Sequence, residues 1–222
     1  MKNTKILEMI NDGRIDELKK NLQDEIYAEE LKSKPGAKKR YAAMKKYFKY
    51  TNHSREALQK PCVIEFEGRE YTSFTNSYSL VLTTESAGEM ELFPDPERYP
   101  QVSRLIRRDG DERKVNFSKI FAEAKSKGYK LNKSEVDSFK YRYLLEYDNA
   151  YFKMGLLEAT YAIIDDGEDA TVYHDDASKY KPITIETSLG ICIVLPMKID
   201  SVSVHDHIII KRSKRWKQNL KK

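Results

Sequence analysis

With 222 residues, 40% of them apolar and 34% charged, the chain can bury a core in one large domain or two small ones and carries a very polar surface. No run approaches the roughly 18 apolar residues of a membrane span, and the opening residues MKNTKILEMINDG lack the apolar core of a signal peptide, so a cytoplasmic protein is expected. The net charge of +5 hides a segregation. Lys32 to Lys49 holds eight cations and no acid, and Lys211 to Lys222 holds seven, again with no acid. Together these are 15 of the 40 cations, so 25 cations face 35 acids over the remainder, a balance of −10. Such segregation is the footprint expected of a protein that meets a polyanion.

In chain order, residues 3–11 and 14–31 are predicted helices. Ile6, Met9 and Ile10 share one face, Asn11-Asp12-Gly13 interrupts, and Ile15, Leu18, Leu22 and Ile26 resume at spacings of three and four. Ser33-Lys34-Pro35-Gly36 breaks the pattern. A third helix is predicted from Ala37 to Tyr50, with Tyr41, Met44 and Phe48 on its apolar side, Lys38, Lys45 and Lys49 on another face, and Lys39 and Lys46 beside them. After Thr51-Asn52-His53-Ser54, where Ser54 is expected to cap a short turn over Arg55–Gln59, Pro61 opens a β region. Cys62–Glu67 and Glu70–Phe74 form a predicted hairpin across Gly68-Arg69, followed by a strand over Tyr78–Thr83.

Residues 84–112, punctuated by Gly88, Pro94-Asp95-Pro96, Pro100 and Asp109-Gly110-Asp111, are the expected boundary. The chain thus divides into a helical segment 1–60, a first meander with its Pro-rich connection 61–112, a second module 113–210 and a basic tail 211–222. In the second module a helix over Phe117–Lys127 turns Ile120, Phe121 and Ala124 inward and Lys119, Lys125 and Lys127 outward, and Gly128 stops it. A strand over Phe139–Tyr147 precedes a helix over Ala150–Ile164, which Asp165-Asp166-Gly167 ends. Strands follow over Ala170–Tyr173, Pro182–Glu186 and Ile191–Ile199, the last two joined by Thr187-Ser188-Leu189-Gly190, and Val202–Ile210 supplies a final strand. The fold class read from this order is α+β, with two helix-plus-antiparallel-meander halves and an N-terminal helical elaboration.

The run of helix, strand, Lys181-Pro182-Ile183-Thr184-Ile185, turn, and a strand ending Leu195-Pro196-Met197-Lys198-Ile199 resembles the closing half-domain of bacterial sliding DNA clamps. The whole chain is also similar to prophage proteins of Gram-positive bacteria that carry such a C-terminal module. The resemblance implies a clamp-like domain in a bacterial cytoplasm whose basic helices face the DNA backbone without reading sequence.

Chemistry is sparse. Cys62 and Cys192 lie inside predicted strands among apolar neighbours and are expected to be buried free thiols. Without a CxxC, and with four histidines, little material exists for zinc. His205-Asp206-His207 would put two imidazoles on one strand face, a poor metal site without a third ligand. The acids of Asp165–Asp169 and Asp175-Asp176 lack calcium-loop spacing and are expected to line solvated turns. No Ser/His/Asp or Cys/His arrangement has supporting context, and the nine glycines form no phosphate loop. The expectation is a non-enzymatic protein with no cofactor or metal.

The candidate nucleic-acid-binding residues are Lys38, Lys39, Arg40, Lys45, Lys46 and Lys49 of the third helix, and Lys119 and Lys125 of the fourth. The tail adds Lys211, Arg212, Lys214, Arg215, Trp216 and Lys217, where an aromatic among cations can stack on a base. The expected partner is nucleic acid, DNA ahead of RNA, with homo-oligomerisation open. The alternative partner is a host nucleic-acid-processing protein that this chain inhibits or adapts.

Overall fold

The computed structural model describes residues 3–50, 55–136, 141–175, 179–199 and 207–212. The fold is α+β, its sheets mostly antiparallel. Three helices come first: α1 (Asn3–Asn11), α2 (Ile15–Ser33) and α3 (Ala37–Tyr50). The meander β1 (Cys62–Phe66), β2 (Arg69–Thr75) and β3 (Ser79–Thr83) follows, then β4 (Asp111–Val115), α4 (Phe117–Ser126) and the single turn α5 (Lys133–Val136). The hairpin β5 (Tyr143–Tyr147) and β6 (Ala150–Lys153) leads into α6 (Met154–Tyr161). A second meander, β7 (Ala170–His174), β8 (Ile183–Thr187) and β9 (Gly190–Val194), precedes β10 (Ile208–Arg212).

Seven strands form one sheet in the order β1-β2-β3-β9-β8-β7-β4. The two meanders therefore meet edge to edge, β3 antiparallel to β9 with Val81 opposite Cys192. Strands from both sides of the Pro-rich connection share this sheet, so the connection does not divide the chain into separate β layers. A smaller sheet, β10-β5-β6, has β10 parallel to β5. Along β9 all five residues are buried, and alternate side chains enter different cores. Cys192 and Val194 join Phe74, Val81, Val172, Ile183 and Ile185 in a core shared with α3, α4, α6 and the small sheet. Ile191 and Ile193 join Tyr71, Leu80 and Leu82 on the opposite face, covered by Val102 and Ile106. Cys62 and Cys192 are buried free thiols, and burial pushes both upward in pKa, as expected of inert cysteines.

Three local expectations need correction. The first hairpin turns on Glu67-Gly68, both at positive φ, with Phe66 opposite Arg69, so the turn lies one residue earlier than read. The expected helix over 150–164 is a strand followed by a helix of eight residues. Asp148 and Asn149, at φ 47° and 67°, make a two-residue turn, and Ala150 and Phe152 bury one side of β6 before α6 begins. The last long strand stops at Val194, because Pro196 has no N–H to continue a ladder; Met197 makes one bridge to Tyr151 instead. Strand β4, whose residues Asp-Glu-Arg-Lys-Val suit a sheet edge, was not anticipated. Ser54 and the start of the expected strand over 202–210 lie outside the described residues.

Helix α6 is wedged between the two sheets, with every residue but Glu158 buried. At Gly155 an added Cβ would sit 2.3 Å from the Glu135 carbonyl oxygen of α5. Helix propensity alone favours alanine by about 1 kcal/mol, but overpacking costs about 1–3 kcal/mol. Gly155→Ala should therefore lower the urea midpoint, not raise it.

A second joint ties β4 and β7 to the β5–β6 turn. Arg113 Nη1 lies 2.7 Å from Asp148 Oδ2, and buried His174 places Nδ1 4.0 Å from the same oxygen. Burial holds His174 below its ordinary value, with Asp148 opposing and Arg113 reinforcing the shift. A depressed folded-state pKa means that the contribution of the neutral ring is complete above the unfolded value of about 6.5 and is lost as pH falls through the folded one. Denaturant midpoints should drop between pH 7 and 5, and His174→Phe should flatten that slope; an unchanged slope removes His174 as its source.

Candidate nucleic-acid interface

The basic helix α3 begins where Pro35-Gly36 ends α2. Gly36 sits at φ 74°, and a Cβ there would meet Arg40 Nη1 at 2.6 Å, so two constraints select glycine. From Ala37 the sequence is rich in helix formers. The stripe Ala37, Arg40, Met44 and Tyr47 is buried, with Tyr41 and Phe48 partly so. Tyr47 donates to or accepts from Ser79 Oγ at 3.0 Å and packs edge-on to Phe74, which anchors the helix over β3 and β2. The 3.6-residue period then presents Lys38, Lys45, Lys46 and Lys49, with Lys39 at the border, as one exposed face.

The structure sorts the expected cations into three groups. Lys38, Lys46, Lys49 and Lys119 are exposed, and among the described residues no carboxylate lies within 4 Å of their ammonium groups. A second group is exposed or half-exposed but paired. Lys39 meets Asp165 at 2.9 Å, Lys45 meets Glu89 at 3.8 Å, and Lys125 meets Glu158 at 2.9 Å. Lys211 meets Glu146 at 3.6 Å and Arg212 meets Glu123 at 2.8 Å. Only Lys45–Glu89 is open to solvent on both sides, a pair worth about 0–1 kcal/mol that exchanges readily for another anion, whereas the carboxylates of Asp165, Glu158 and Glu146 are largely buried and hold their cations more firmly. Lys45 also stands 4.5 Å above the Tyr41 ring. Lys214, Arg215, Trp216 and Lys217 lie outside the described residues.

Arg40 forms the third group by itself and corrects the sequence reading: it is a core residue, 5% exposed, on the side of α3 away from the lysines. Its Nε donates to Glu85 Oε1 at 2.9 Å, and Nη1 donates to the carbonyls of Pro35 at 2.9 Å and Asp165 at 3.4 Å. It fastens the α2–α3 turn, the segment after β3 and the segment after α6 to one another, and it is unavailable to a phosphate.

Beside the C-terminal half of α3 opens a cleft of about 350 Å³. Phe48, Pro61 and Met90 line it together with Lys45, Lys49 and Lys60. Lys60 was not foreseen; its only sequence signal is its place beside Pro61, and it is held by Glu56 at 2.7 Å and Glu91 at 2.6 Å.

The acidic turn after α6 is built for structure. Asp165 accepts from Gly167 N–H, and Asp166 accepts from Glu168 N–H, Ser188 N–H and the Ser188 hydroxyl. Burial of Asp166 works against ionisation, but these hydrogen bonds outweigh it and hold the carboxyl below its usual range. Of the expected histidine pair, His207 stacks on Tyr141 with ring centroids 5.1 Å apart, and His205 and Asp206 lie outside the described residues. No protein-family model, curated protein or solved structure matches this chain.

Removing one partner of a buried ion pair leaves an uncompensated charge, at a cost of about 3–5 kcal/mol. Arg40→Ala should lower unfolding free energy by that amount and Glu85→Ala by a similar one, with the double variant far from additive. Lys46→Ala, on the exposed face, should stay within about 0.5 kcal/mol of the parent. Urea titrations of the four variants beside the parent check this ordering.

Proposed function

We propose that the protein is a non-catalytic nucleic-acid-associated factor that grips the phosphate backbone through the exposed face of α3. The observation that carries this reading is the set Lys38, Lys46 and Lys49, three ammonium groups on one helix face with no carboxylate in reach among the described residues. Lys119 adds a fourth such group on α4, and Lys45, whose partner Glu89 is exposed and 3.8 Å away, can exchange that carboxylate for a phosphate.

Binding of this kind runs on counterion release and reads no sequence. Three to four phosphate contacts on duplex DNA would give a log–log salt slope of about −2.7 to −3.6, a loss of roughly 40- to 150-fold between 50 and 200 mM salt. The clamp-like scaffold belongs to the same proposal. What supports it is the pair of helix-plus-meander runs, α3 with β1–β3 and α6 with β7–β9, joined at β3 and β9. Because α6 is buried, α3 and α4 are the helices that would meet DNA, in the setting of a bacterial mobile element.

One observation favours a second reading, in which the chain docks on a nucleic-acid-processing protein. The cleft of Phe48, Pro61 and Met90 beside Lys45 and Lys49 suits an apolar anchor flanked by acidic side chains.

Fluorescence anisotropy with labelled duplex and single-stranded oligonucleotides, from 50 to 200 mM salt, tests the first reading. The triple variant Lys38→Glu/Lys46→Glu/Lys49→Glu should melt at the parent temperature and lose binding by at least 100-fold. Absent binding by the parent at 50 mM, or binding that survives the triple reversal, would sink it. A nuclease-treated pull-down from host lysate that retains one protein, lost on Phe48→Asp, would favour the second.

A further inference from the structure

The largest anomaly on the surface lies away from the lysines. Ten large apolar side chains stand exposed among the described residues, and five of them, Leu7, Ile10, Ile15, Leu22 and Ile26, belong to the α1–α2 hairpin. Ile26 is 60% exposed and Leu7 59%. Met9 and Leu18 are the hairpin's two buried apolar residues. A different side of α2 holds it to the body: Tyr27 stacks edge-on to Tyr41 at 5.0 Å and lies against Gly88, where a Cβ would meet the ring at 2.6 Å. Ile15, Leu22 and Ile26 follow one another at spacings of seven and four, so they form a single stripe along α2, whose Ile26 end borders a cleft against β1, β2 and the segment after β3. Monomeric proteins rarely leave so concentrated an apolar face uncovered.

The charge on α2 says what covers it. Six acids against three lysines make the helix unattractive to an anionic membrane or a nucleic acid. The charge is also unevenly distributed along the chain. Arg14 to Lys20 nets +1, its Arg14 and Lys19 held only by exposed local pairs to Asp12, Glu17 and Asp16 that a partner's carboxylates can replace, whereas Asp24 to Glu30 carries four acids and no cation. Residue 22 lies midway between positions 14 and 30. An antiparallel crossing of two α2 helices at Leu22 therefore sets the basic half of each against the acidic half of the other and opposes their helix dipoles. A parallel arrangement would stack the acidic halves. We propose that the chain self-associates through this face as a two-fold dimer, the two α1–α2 hairpins forming a four-helix bundle centred on Leu22.

The size of the face sets the strength. At 1.5 Å per residue, α2 runs about 28 Å and α1 about 13 Å, and helices about 10 Å wide offer roughly 400 Å² per protomer. That is about half the roughly 800 Å² per partner of a standard interface, so the association is a weak one that depends on protein concentration.

Sedimentation equilibrium of the full chain, free of nucleic acid and loaded from about 1 to 200 µM, reads the result. The expected mass rises from 25.9 kDa toward twice that value. Leu22→Glu, at a position 37% exposed, should weaken association at least tenfold, with the melt measured beside it to show that the fold is kept. The pair Arg14→Glu/Lys19→Glu and the pair Glu25→Lys/Glu29→Lys should each stay monomeric alone and form a heterodimer when mixed. A parent monomeric throughout, a mass beyond the dimer, indifference to Leu22→Glu, or failure of the mixture to associate would each overturn the proposal. Because Leu22 lies outside the basic face, Leu22→Glu should retain whatever nucleic-acid binding a protomer has.

Discussion

The buried guanidinium of Arg40 is the constraint on which the arrangement of the exposed lysines depends. It reaches Glu85, the Pro35 carbonyl and the Asp165 carbonyl, three segments that no β ladder connects to α3. A charge taken from water in this way is tolerated only when its hydrogen bonds are met, so the ion pair fixes how α3 is rotated about its own axis. With Arg40, Met44 and Tyr47 committed to the core, the 3.6-residue repeat leaves Lys38, Lys45, Lys46 and Lys49 no other direction than outward. The basic face is thus a consequence of what the opposite side of the same helix must bury.

Among the described residues, the charge is less lopsided than the chain's linear pattern. Acids from distant positions fold back on the basic segments: Asp165 on Lys39, Glu89 on Lys45, Glu158 on Lys125, Glu146 on Lys211 and Glu123 on Arg212. What stays open is a smaller set of cations. On the proposed reading, that set limits the contact to a few phosphates, with the steep salt dependence such contacts carry.

The elements most legible in the sequence were those whose pattern is local. Helices α1 to α4, the β1–β2 hairpin and the β7–β9 meander follow from apolar period and turn residues, and the exposed lysines of α3 followed from spacing alone. Arg40 was misread because a cation in a basic run looks like its neighbours; only its register with Met44 and Tyr47 marks it as inward, and Glu85 lies 45 residues away. The acidic partners of the other cations are invisible to any local count for the same reason. Strand β6 was hidden by a helical stripe running across it, although the Asp148-Asn149 dipeptide, tolerant of positive φ, was the available signal. Strand β4 was missed because an edge strand need not show the apolar alternation that central strands do.

The β3–β9 pairing has a consequence for how the molecule comes into being. The middle of its large sheet joins residues 79–83 to residues 190–194, roughly 110 positions apart. During synthesis the first meander must wait with one edge unfilled until the distant strand leaves the ribosome, a delay of roughly 5–20 s at about 5–20 residues per second. Leu80, Val81 and Leu82, the apolar centre of that waiting edge, are then the nascent chain's invitation to mispairing, and the natural place for a chaperone to hold it.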